Sequence, residues 1–130
     1  MKTEISQWEK RVIVFKFIYS YLINDWDDKL YSEKMGEETI LVDEYIKPIL
    51  ENILNSKKQY LTSMNENISK EWTMGRISYI DKAIILTACG EFFVHAIDKK
   101  IIIDQAIITA KNYGDENSFK FINSVLDKIL

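Results

Sequence analysis

The sequence predicts an all-α fold: a single compact domain of six or seven helices over residues 1–130. Three observations carry that expectation. Proline occurs once, at Pro48, and glycine four times. Apolar residues recur at helical spacing over long stretches, while the alternating pattern of strands is nearly missing. Apolar residues make up 47% of the chain, which suits a buried core in one domain and excludes a disordered tail.

The first helix is expected from about Ser6 to Asn24. Trp8, Val12, Phe15, Tyr19 and Leu22 line one face, and Ile13, Val14, Phe17, Ile18 and Tyr21 fill its flanks. Only Glu9, Lys16 and Ser20 keep a narrow polar strip, so this helix is expected to be buried nearly all round. An acidic connection follows, over residues 25–36. Asp25 and Asp27 begin like a calcium loop. Leu30 then stands where such a loop needs glycine, and Gly36 where it needs a bidentate glutamate, so no calcium site is expected.

A second helix spans roughly 37–55, with Pro48 inside it, and a kink or break is expected near Lys47. A third covers about 57–70. Ser78 and Asp81 have the spacing of a capping box, which starts a fourth helix near Tyr79 that ends near His95. The fifth carries "IIIDQAIITAKNY" and stops at Gly114, expected as a left-handed cap. Asp115 caps the last helix, whose buried stripe is Ile122, Val125, Leu126 and Ile129 with Phe119 beside it. Phe121 lies about 100° round on one rim of that stripe, and Asn123 about 100° round on the other. Phe15, Leu22, Ile84, Ile107, Ile122 and Leu126 are the expected common core.

The net charge of −3 is unevenly spread: +2 over residues 1–24, −6 over 25–51, +1 over 52–94 and zero over 95–130. A strongly basic nucleic-acid binder is excluded, so any RNA contact must use a local patch. Residues 1–7 show no apolar signal core, and the run from Val12 to Ile23 is about a third too short to span a membrane. A cytoplasmic protein is expected, and the single Cys89 forms no internal disulfide. Cys89 reads as a small buried hydrophobe, Gly90 as a point of close helix approach, and His95 as a structural or solvated residue at a helix end. No nucleophile motif, glycine-rich phosphate loop or marked acid/base pair is present, so no catalysis, cofactor or metal is expected.

From Trp72 onward the chain resembles the NusB family of transcription antitermination factors. The pieces that carry the resemblance are "WTMGRISYIDKAIIL", "IIIDQAIITAKNYG" and "SFKFINSVLDKI", in family order and near-family spacing, with "FIYSYL" added from the first helix. Residues 25–70 match only in helical pattern. The resemblance implies an all-helical fold of two small subdomains. It implies binding of a boxA RNA element together with NusE, a small-subunit ribosomal protein, in a transcription elongation complex that reads through terminators, notably in ribosomal RNA operons.

The resemblance also carries over contact positions. The family's RNA-contacting aromatic falls on Phe121, whose rim position would leave one ring face open to a base. Tyr19 matches the family tyrosine of the first helix and otherwise reads as a core tyrosine. Asp81 matches an acidic position whose oxygens can accept from base edges, although capping explains it as well. Asn117 stands where the family often has an acid, and otherwise reads as a solvated first-turn residue. Asn123 reads as structural, bridging to backbone of a neighbouring helix. The family's arginine-rich opening is depleted: "QWEKR" offers only Lys10 and Arg11, with Lys16 farther on. Leu86 stands where an arginine is frequent, and Ser124 replaces a usual glycine. Two rivals remain: an interaction module of this fold with little or no RNA binding, and the NusB-like region of an RNA cytosine methyltransferase, for whose catalytic domain this chain has no room.

Overall fold

The computed structural model describes residues 5–24, 29, 43–68 and 77–130. Among them are five helices and no strand: α1 (Gln7–Ile23), α2 (Ile46–Glu66), α3 (Tyr79–His95), α4 (Lys99–Tyr113) and α5 (Ser118–Ile129). The all-α expectation holds, and among the described residues five of the expected six or seven helices are found.

At the start of α1 the Ser6 hydroxyl accepts the Glu9 N–H at 3.1 Å, and the Glu9 carboxylate takes the Ser6 N–H in return. Only Gln7, Glu9, Lys16 and Ile23 of this helix are exposed, so it is buried nearly all round as its sequence predicts. The expected break at Pro48 does not occur. That residue sits in the first turn of α2, where its absent N–H has no intrahelical acceptor and its fixed φ suits the helix. The Asp43 carboxylate sets this start by accepting the N–H groups of Tyr45 and Ile46 at 2.8 and 3.1 Å. From there α2 runs unbroken to Glu66, merging the second and third expected helices. The expected start near Glu37, the end near Lys70 and the rejected calcium positions Asp25 and Gly36 lie outside the described residues.

The central element is α3, which packs against all four other helices. Ser78 caps it by accepting the Asp81 N–H at 3.0 Å. A Cβ on Gly90 would lie 2.7 Å from Ile53 Cγ1, so this glycine lets α2 approach α3 as expected. The helix ends at Ala96 in the left-handed region, with φ 51°. Gly114, by contrast, is extended with φ −85°, so the expected left-handed cap is not there. Its need for glycine is steric: a Cβ would meet the Ser118 hydroxyl oxygen at 2.6 Å. The expected cap at Asp115 is displaced: the N-cap of α5 is Asn117, and Asp115 stands two residues before it. Its carboxylate accepts the Asn117 N–H at 2.9 Å, and its own N–H donates to the Ser118 hydroxyl at 3.0 Å.

Buried side chains from all five helices form one continuous cluster. Phe15, Leu22, Ile84, Ile122 and Leu126 belong to it, while Ile107 is only half-buried at its edge. Ile107 flanks the face of α4 that Ile102, Ile103, Ala106 and Ala110 turn inward. Among the described residues no helix is long and apolar enough to cross a membrane.

Candidate nucleic-acid interface

Two of the three expected phosphate contacts, Lys10 and Arg11, are turned toward acids of their own chain. Arg11 Nε lies 2.7 and 2.9 Å from the two carboxylate oxygens of Glu91, and an Arg11 terminal nitrogen donates to Gln105 at 3.2 Å. The Tyr45 hydroxyl donates to the same carboxylate. Glu91 is 1% exposed, so its charge is compensated almost wholly by these partners. Burial pushes the Tyr45 phenol upward, and the hydrogen bond to Glu91 and its charge push it further. Lys10 reaches Asp43 at 3.6 Å and lies over the Tyr45 ring. Burial draws the Asp43 carboxyl upward, but the N–H groups of Tyr45 and Ile46 and the Lys10 ammonium outweigh it, leaving the pKa below the usual value. The expectation of a phosphate-gripping Arg11 is therefore corrected: its guanidinium joins α1, α3 and α4 inside the protein.

Asp81, Asn117 and Phe121 come together. They line an open cleft of about 340 Å³ between the start of α3 and the start of α5, with Ile77, Asp115 and Ser118 beside them. Asp81 is 7% exposed, and its Oδ1 has no hydrogen-bond partner. Burial raises its pKa and the Asp115 charge adds to the rise, against hydrogen bonding by Ser118 and Ser78. Asn117 is exposed at the mouth, and its side chain does not cap α5.

Phe121 is 2% exposed, which corrects the expected open ring face. The buried face of α5 is turned toward Phe121 and takes in Ser118, Phe121, Ile122, Val125 and Leu126. Phe119 is left half-buried, and Asn123 is exposed rather than bridging to a neighbouring helix. The Phe121 ring thus forms part of the cleft wall without offering a free platform.

Tyr19 lies apart from this cleft, half-buried on α1, with its ring 6.5 Å from that of Phe15. Cys89 is buried as expected, and burial pushes its thiol up to about 12. His95 stacks on the Tyr45 ring at 3.8 Å, and its Nε2 lies 2.9 Å from the Tyr45 carbonyl oxygen. Its role is to hold the start of α2 against the end of α3.

A family model described as the NusB family matches residues 9–130. The chain belongs to the NusB family. It is 34% identical over 129 residues to the transcription antitermination protein NusB of Pseudothermotoga lettingae, covering 92% of this chain and 86% of the relative. It is 33% identical to the protein of the same name from Clostridium acetobutylicum, covering 97% and 96% of the two chains. The solved structure of T. maritima NusB superposes with a TM-score of 0.79 at 26% identity, over 98% of this chain and 92% of that one. A conserved hypothetical protein from Mycoplasma genitalium, described as structurally homologous to NusB proteins, shares the fold with a TM-score of 0.78 at 20% identity.

Within this NusB-family chain, sequence reasoning missed Glu91 and Tyr45. The signal for Glu91 was present, because an acid between Gly90 and Phe92 in an almost wholly apolar helix needs a cation. Nothing local identifies that cation as Arg11, eighty positions earlier. Trp72 and Arg76, which helped to carry the family resemblance, lie outside the described residues.

Proposed function

We propose that the protein is a transcription antitermination factor of the cytoplasm that binds boxA-type single-stranded RNA together with NusE. It acts as an adaptor in the elongation complex, supporting ribosomal RNA transcription without a catalytic step. Membership of the NusB family over residues 9–130 carries this proposal, since relatives matched over nearly their whole length are named antitermination proteins.

The cleft of Asp81, Asn117 and Phe121 supports it chemically. Asn117 offers an exposed amide to a base edge, and the unpartnered Oδ1 of Asp81 is an acceptor for an exocyclic amine or ring N–H. Phe121 enters as part of the wall, so a base that stacks on it must first displace its cover. One observation favours a second reading, an interaction module with little RNA affinity: Lys10 and Arg11 both pair with acids of their own chain.

Titration of labelled boxA RNA and a scrambled RNA of equal length, each with and without NusE, separates the two. Preferential binding of boxA that tightens with NusE is expected for the antitermination factor. Binding of NusE with no boxA preference would leave the interaction module.

A further inference from the structure

Lys10 and Arg11 are both tied to acids of their own chain, and the two ties differ in kind. Arg11 is fixed: its Nε–H is shared between the oxygens of a carboxylate that is 1% exposed. Lys10 is held loosely. Its ammonium lies 3.6 Å from Asp43 Oδ2, farther than in a close charge-assisted hydrogen bond, and the two side chains keep 21% and 27% of their surface exposed. A pair this open to water contributes little and separates readily.

Asp43 divides its work between its two oxygens. Oδ1 accepts the N–H groups of Tyr45 and Ile46 at 2.8 and 3.1 Å and sets the start of α2. Oδ2 faces Lys10. The rest of the lysine's seat is the Tyr45 ring, whose centroid lies 5.6 Å from the ammonium. That ring is fixed by His95, stacked on it at 3.8 Å, and by its hydroxyl on Glu91. The seat is thus built by groups that do not depend on Lys10.

We propose that Asp43 Oδ2 is an intramolecular competitor of the RNA phosphate: it holds Lys10 on the Tyr45 ring in the free protein and yields it when a strand binds. This rests on the RNA-binding reading above and concerns the regulation of that surface. An ammonium on a flexible four-carbon stem can swing from one anionic oxygen to another, and only the weaker of the two α1 ties can open for it. Leaving Asp43 costs part of what the phosphate contact supplies. The competition therefore lowers the sequence-independent part of RNA affinity, the part that phosphate contacts carry.

The test uses the full chain with NusE and a boxA-containing single-stranded RNA, read by fluorescence anisotropy across a salt series. Asp43→Asn keeps an oxygen for the Tyr45 and Ile46 N–H groups and removes the charge. It is expected to tighten binding roughly two- to fivefold and to steepen the log–log salt slope by up to about 0.7. In a Lys10→Gln background the same substitution is expected to gain nothing, because no ammonium remains to be released. Glu44→Gln, which removes an exposed charge one residue away, serves as the control and changes neither affinity nor slope. Asp43→Ser, a second uncharged residue suited to a helix start, reports if Asp43→Asn melts early. Equal gains from Asp43→Asn with and without Lys10 would mean general repulsion of RNA by an acid, and would overturn the competition while leaving RNA binding intact. Unchanged or weaker binding in both Asp43→Asn and Asp43→Ser would overturn it as well. A wild-type protein that binds no RNA with NusE present, and variants that bind none either, would overturn the competition and the RNA reading together.

Discussion

The Arg11 Nε–H is shared between the two carboxylate oxygens of Glu91, at 2.7 and 2.9 Å, and this contact fastens α1 to α3 inside the protein. The Arg11 side chain is 12% exposed and that of Glu91 2%. Removing one partner leaves a buried charge without its counterion. Arg11→Ala is therefore expected to cost about 3–5 kcal/mol in urea unfolding. A loss below about 1 kcal/mol would mean that the arginine is a surface cation, free for phosphate after all.

Gly90→Ala sets helix propensity against space. Alanine gains up to about 1 kcal/mol in a helix interior. Its Cβ, however, would lie 2.7 and 2.9 Å from two side-chain carbons of Ile53 and 3.0 Å from Ile49. A net destabilisation of about 1–3 kcal/mol is expected. Unchanged or raised stability in denaturant would show that α2 and α3 pack more loosely than these distances.

Ala96 is the one non-glycine residue with positive φ among those described. A left-handed backbone costs a residue with Cβ roughly 1–2 kcal/mol, part of which glycine returns through the freedom of its unfolded chain. Ala96→Gly is expected to raise stability by about 0.5–1 kcal/mol, seen as a higher melting temperature. A fall in melting temperature would contradict the cap.

Asp81 gives a pH test. Its folded pKa is raised, so the native state holds its proton more tightly than the unfolded chain does. This group's contribution to stability falls as pH rises from the ordinary aspartate value of about 3.9 through the folded pKa. Asp81→Asn removes that penalty. The variant is expected to melt higher than wild type at pH 7, with the difference shrinking as pH falls through the folded pKa toward about 4. A difference that does not change with pH would mean that Asp81 is not protonated more readily in the folded state.

The all-α architecture was legible because helical periodicity, scarce glycine and proline, and the Ser78 cap all point one way. Pro48 was misread because its effect depends on where the helix starts, and that start is set by the Asp43 carboxylate. Phe121 shows the limit of a helical wheel. The wheel gives the angle between Phe121 and Ile122 but not the direction of the neighbouring helices, which decides that both are buried. Arg11 shows the same limit for charge. Its type suggested phosphate binding, while its packing gives it to Glu91. Asp81 and Asn117 line one cleft because the starts of α3 and α5 flank it, an adjacency that no local pattern in the sequence displays.

The affinity of the full chain for boxA RNA, measured with NusE over a range of salt concentrations, tests RNA binding most directly. With Lys16 exposed, Lys10 partly drawn to Asp43 and Arg11 locked to Glu91, few phosphates can be met. Binding that prefers boxA, with a log–log salt slope between about −0.7 and −3, is the expected result. A slope steeper than about −5, or equal affinity for boxA and scrambled RNA, would contradict it.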